Sequence, residues 1–164
     1  MSDEKYDSRE DTKKHIKMVG VLLEMMVGRL VSRATHHDAS KLLDPEKAIF
    51  DEVTPALKGL TYGSDEYKEQ LVKMGDALKH HYENNRHHPE HFPNGVKGMT
   101  LVDLMEMFCD WCAATQRHDD GDILKSIKHN KDRFELGDVL SSILKNTALE
   151  YGMGKGSGHE REPR

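Results

Sequence analysis

The sequence predicts an all-α protein, a single-domain bundle of about six helices. Apolar residues recur at steps of three and four along most of the chain, helix-start signals precede the periodic windows, and glycine or proline clusters separate them. With 164 residues, 36% hydrophobic and 32% charged, the chain fits one domain that buries a core without staples. The expected domain runs over residues 9–151, with a flexible glycine-rich tail over 152–164.

The first helix is expected from about Arg9 to Arg33, where His15, Val19, Leu22, Met26 and Leu30 make one stripe that turns His15 inward. A short segment around Thr35 to Leu42 carries His36-His37-Asp38. Asp44-Pro45-Glu46 then reads as an N-cap, a first-turn proline and an acidic first turn, opening a helix to about Leu57. After a turn at Gly59 to Gly63, Ser64 caps a helix with Tyr67, Leu71, Met74, Leu78 and His81 on one face, a spacing that selects His81 over His80. Residues 84–98 contain two prolines, two glycines and three histidines without an apolar period, and read as an irregular loop.

Thr100-Leu101-Val102-Asp103 has capping-box form with Asp in place of the usual Glu. It opens a helix to roughly Arg117 that buries Leu104, Phe108, Trp111 and Thr115 or their neighbours. Asp103, Glu106 and Asp110 form an acidic stripe on this otherwise apolar helix, which argues against a purely solvated face. Two further helices are expected, about Asp122 to Lys131 and Gly137 to Glu150.

A net charge of −5 and a pI near 6.1 argue against a dedicated nucleic-acid or anionic-membrane binder, because such proteins carry a basic face. The polar, acidic start of the chain lacks a signal-peptide pattern and no stretch approaches a membrane span, so a cytoplasmic protein is expected. Cys109 and Cys112 suit neither a disulfide framework nor a four-ligand zinc site and read as core packing.

Eleven histidines, bunched at 36–37 and along 80–91, point to a metal site, since neutral imidazole and carboxylate are the ligands that divalent transition metals take. His15 on the first helix, the adjacent His37 and Asp38, and Asp110 on a later helix could all project into one bundle core. His36, His80, His118, His129 and His159 read as surface residues or as supports of the ligands. Glu106 reads as a carboxylate that holds a ligating imidazole by its other nitrogen.

In the order His15, His37-Asp38, Asp110, over most of residues 9 to 150, the chain resembles the HD-domain superfamily of metal-dependent phosphohydrolases. The stretches His37-Asp38-Ala39-Ser40-Lys41, His80 to His91 and Asp103 to Trp111 more closely resemble a small uncharacterised family found in phage and bacterial genomes. The likeness implies an HD-like helical fold and one or two divalent transition metal ions (manganese, iron, cobalt or zinc) held by His15, His37, Asp38 and Asp110. Lys41, three residues after Asp38, is similar to the superfamily branches that recruit two more histidines for a second metal; His81 and His88 are the candidates, with His87 and His91 as alternatives to His88.

The implied activity is hydrolysis of a small phosphorylated metabolite, a nucleotide above all, as phosphomonoester or phosphodiester. A metal-activated water would attack phosphorus, with Asp38 and Lys41 as the catalytic pair and Lys41, Arg33 and Arg86 on the phosphate; Arg117 is a further candidate. The partner is thus a small phosphorylated molecule, with no membrane and no dedicated nucleic-acid binding. A homodimer could form through methionines such as Met25, Met105 and Met107. Two other readings stay open: a di-iron oxygenase of the same fold, and a non-catalytic ligand-binding or interaction protein of the phage-encoded kind.

Overall fold

The computed structural model describes residues 6–57, 60, 64–117 and 121–153. They are all-α, with six α-helices, three short 3-10 turns and no strand among them. The chain divides into two compact units, Met1–His37 and Asp38–Arg164. None of its helices among the described residues is long and apolar enough to cross a membrane.

The first unit contains one helix, α1 (Arg9–His36), three residues longer than its apolar pattern requires. Glu10 and Asp11 in its first turn and Arg33 and His36 in its last complement the helix dipole. None of its residues is buried: Ile16 is 63% exposed, Leu23 61%, and His15 is exposed where the stripe predicts it to face inward. An apolar stripe identifies a helix that can be covered, but does not say what covers it.

The second unit begins with a 3-10 turn at Ala39–Leu42 and continues through α2 (Glu46–Leu57), α3 (Asp65–Asn84), α4 (Leu101–Thr115), α5 (Ile123–Arg133) and α6 (Asp138–Glu150). Asp44-Pro45 does not open α2 as a cap and first turn; its peptide bond is cis and the helix starts at Glu46. Of the expected turn at 59–63, only Leu60 lies among the described residues, as do neither His118 nor His159. Ser64 caps α3 as expected, its hydroxyl accepting from the Tyr67 amide. The helix is broken at Gly75, whose φ of 35° and ψ of −111° lie outside the helical region and favour glycine.

Helices α4, α5 and α6 close the apolar core, in which Phe108, Ile123, Ile127, Leu136, Leu144 and Ala148 are buried together. The face α4 commits most deeply carries Val102, Asp103, Met107, Phe108 and Cys112, whereas Leu104, Trp111 and Thr115 are half-buried. The cysteines separate: Cys112 packs in this core and Cys109 is exposed. Met153 also joins the core, its amide donating to the Ala148 carbonyl, so the chain packs two residues into the segment expected to be a free tail.

Helices α2 and α3 pack against each other and against the 39–42 turn. The 84–98 segment is irregular but closely packed, with two 3-10 turns at Pro89–His91 and Gly95–Gly98 and buried Asn85, His87 and Pro89. A Cβ at Gly98 would stand 2.9 Å from the Cβ of Phe92, so only glycine lets the two ends of this turn approach.

Candidate metal centre

Four side chains of the second unit, Asp38, His81, His87 and His88, each bring one ligand atom within 4.8 Å of all the others. Each reaches that place for a local reason. Asp38 precedes the 39–42 turn with φ of 55°, a left-handed backbone that aspartate tolerates better than most residues, and its carbonyl accepts the Lys41 amide at 2.9 Å. His81 lies on the buried face of α3 beyond the break at Gly75, four residues after the buried Ala77. Beyond Asn84 the chain leaves the helix, Pro89 holds the residue before it, His88, in extended backbone (φ −95°, ψ 126°), and both His87 and His88 reach the group from this segment.

The nitrogens and oxygens converge closely. His81 Nε2 is 2.9 Å from His88 Nε2, and the Nε2 atoms of His81 and His87 are each 3.4 Å from Asp38 Oδ1. His87 Nδ1 stands 3.3 Å from Glu106 Oε1, where a carboxylate can steady a ligating ring by its other nitrogen. The second oxygen of Asp38 takes the ammonium of Lys41 at 2.6 Å, and that ammonium lies 5.1 Å from the centre of the Phe50 ring.

Two of the imidazoles, His88 and His81, are held toward the neutral form. Burial, joined by the neighbouring His87 and His81, pushes His88 down to about 2, and burial followed by the Lys41 charge lowers His81. Three imidazoles and a carboxylate make a set that suits zinc, iron, cobalt or manganese. The residues present therefore fit a divalent transition metal.

Behind His81 stands a carboxylate that the sequence reading takes for a helix-dipole acid. Glu46 is fully buried; one oxygen accepts from His80 Nδ1 at 2.7 Å, and the other accepts from His81 Nδ1 at 2.8 Å and from Ser40 Oγ at 3.0 Å. Burial opposes its ionisation, but the hydrogen bonds from His80, Ser40 and His81 prevail and hold it below its ordinary value. Asn85, also buried, donates to Ser40 Oγ at 2.7 Å and to the His81 carbonyl at 2.8 Å. The side-by-side donors of His80-His81 are the one sequence signal for an acid opposite them, and they do not say which acid.

Of the residues expected at the site, Asp38, His81 and His88 come together, and His87, an alternative to His88, joins them instead of excluding it. His91 does not; its Nδ1 donates to the Tyr82 carbonyl at 3.0 Å. Asp110 is half-buried on α4, with an oxygen within 4.8 Å of one of Asp38, and its charge acts on His88. His37 is the half-buried residue that ends the first unit and immediately precedes Asp38. His15 belongs to no group of three ligands among the described residues.

Lys41 is next to the cluster, whereas Arg86, expected on the phosphate, is engaged by another partner. Arg33 is half-buried in the last turn of α1, and Arg117 is exposed just after α4. The fork of Arg86 is committed to the fully buried Asp103, through Nε at 3.1 Å and Nη2 at 3.0 Å, and lies over the Phe92 ring. Asp103 also completes the expected capping box, accepting from the amide and hydroxyl of Thr100. Arg86 thus ties the 84–98 segment to the start of α4 and holds the loop that carries His87 and His88.

No curated protein and no solved structure matches the chain. A family model matches residues 4–150, nearly the whole length. The chain belongs to DUF5662, a family of unknown function.

Proposed function

We propose that this protein is a metal-dependent phosphohydrolase acting on a small phosphorylated metabolite, foremost a nucleotide. The observation that carries the reading is the convergence of Asp38, His81, His87 and His88 beside an ammonium, Lys41, held at 2.6 Å by the outer oxygen of Asp38. Asp38 serves both sides at once: Oδ1 faces the imidazoles and Oδ2 holds the cation that would meet phosphate. The likeness to HD-domain phosphohydrolases supports the same reading through His37-Asp38, Lys41 and Asp110.

Asp38, His81, His87 and His88 would hold the ion, with Asp110 as the further carboxylate beside Asp38. A divalent ion bound there lowers the pKa of its water toward neutrality and makes hydroxide available. Lys41 neutralises charge on the non-bridging phosphate oxygens, and the closely packed 84–98 segment keeps bulk water away from the imidazoles.

Elemental mass spectrometry of protein purified without chelator tests the reading, alongside Asp38→Ala. The expected result is about one or two equivalents of manganese, iron, cobalt or zinc in the wild type. Asp38→Ala should lose them, and a screen of phosphomonoesters and phosphodiesters should find turnover in the wild type alone. Asp38→Ala hydrolysing at the wild-type rate would overturn the assignment. Substrate-dependent oxygen uptake by the iron-loaded protein would replace it with oxygenase chemistry.

A further inference from the structure

We propose that Glu46 is the positioning residue of this centre: its buried carboxylate selects the Nδ1–H form of His81 and so makes Nε2 the ligating atom. The inference rests on the metal reading above for its consequence, but not for the tautomer. Glu46 is fully buried and has a donor on each oxygen, so it is an acceptor throughout.

The hydrogen count around it leaves one arrangement. Asn85 Nδ2 is 3.0 Å from His81 Nδ1, yet its two hydrogens are directed to the His81 carbonyl at 2.8 Å and to Ser40 Oγ at 2.7 Å. Ser40, accepting from Asn85, directs its own hydrogen to Glu46 at 3.0 Å. His81 Nδ1 must then carry a proton for the Glu46 oxygen at 2.8 Å, and a neutral ring so protonated has its lone pair on Nε2. That lone pair faces His88 Nε2 at 2.9 Å and Asp38 Oδ1 at 3.4 Å, the place where an ion would sit.

His80 makes the arrangement more than a single contact. Two consecutive histidines of α3 hold the two oxygens of one carboxylate, so the plane of Glu46 cannot turn away from His81 without losing His80. His80 is 38% exposed and does not reach the ligand group; its part is to hold Glu46. A carboxylate that fixes the outer nitrogen of a metal-binding imidazole commonly accounts for about 10- to 100-fold in metal affinity.

Long-range nitrogen–proton NMR of the metal-free wild type, together with cobalt(II) affinity by chelator competition in the wild type and Glu46→Gln, tests this. The expected spectrum shows His81 protonated at Nδ1, and the expected affinity falls by about 10- to 100-fold in Glu46→Gln, because the amide oxygen can accept from only one of the two histidines. A wild-type His81 protonated at Nε2, or a Glu46→Gln affinity within twofold of wild type, would overturn the proposal. The spectrum needs no variant, so a Glu46→Gln chain that fails to fold leaves the decision with it. If the wild type binds no cobalt, the metal reading fails, and the His81 tautomer still decides what Glu46 does.

Discussion

The apolar core of α4, α5 and α6 and the polar centre of α2, α3 and the 84–98 segment are buried equally deeply, for opposite reasons. Ile123 and Ile127 are 0% exposed in the first, Glu46 is 0% and His81 1% in the second. Removing an isoleucine side chain from water stabilises the fold by about 1.5–3 kcal/mol and asks nothing of its neighbours beyond shape. Burying Glu46 and His81 is unfavourable until each polar atom has a partner, and even then a buried polar network contributes little net stability. The core accounts for why the unit folds, and the centre for what the folded unit can do.

A change in either region should leave the property assigned to the other where it was. The largest expected effect is complete loss of bound metal in Asp38→Ala, with far-ultraviolet circular dichroism unchanged; a chain that loses its helices as well would mean that Asp38 holds the fold. Ile127→Ala should be the mirror image, lowering stability to denaturant by about 2–5 kcal/mol through lost transfer energy and a cavity. Its cobalt affinity per folded molecule should match wild type.

Titration sharpens the contrast, because both regions exclude charge but at opposite ends of the pH scale. In the metal-free protein His88 is depressed from 6.5 to about 2, so the unfolded chain binds the proton first. The stability is full above about pH 6.5 and is lost as pH falls, with a slope of up to about 1.4 kcal/mol per pH unit from this group. In the core, burial pushes the Cys112 thiol from 9.0 up to about 12. Its stability is full below about pH 9 and is lost as pH rises toward 12, by the same slope at most. Denaturant midpoints across pH should therefore show a shallower acid arm in His88→Gln, where His81 and Glu46 still contribute, and an unchanged acid arm with a shallower alkaline one in Cys112→Ala.

The smallest effect is expected at Arg86→Ala, about 1–2 kcal/mol, since its guanidinium is partly exposed and solvent screens the pair while Asp103 keeps its Thr100 donors. Chemical denaturation gives the stability, and cobalt affinity should weaken too, because this pair anchors the loop bearing His87 and His88. Unchanged affinity would show that the loop holds its shape without it.

Part of the apolar core was legible because a helix advances about 100° per residue, so Phe108 announces its face on α4 by spacing alone. The same rule distinguished His81 from His80 on α3, and Thr100 with Asp103 announced the start of α4. It could not choose among His87, His88 and His91, for a segment without a period has no faces.

The all-α class, the caps of α3 and α4, the buried face of α3 and a histidine-rich centre were thus legible in the residues alone. Only the tertiary structure decided that Glu46 is buried and not solvated, that Arg86 serves Asp103 and not a phosphate, and that His15 is exposed. The physical reason is common to the three: local spacing sets the direction of a side chain from its own backbone, whereas burial and pairing depend on what a distant segment brings to meet it.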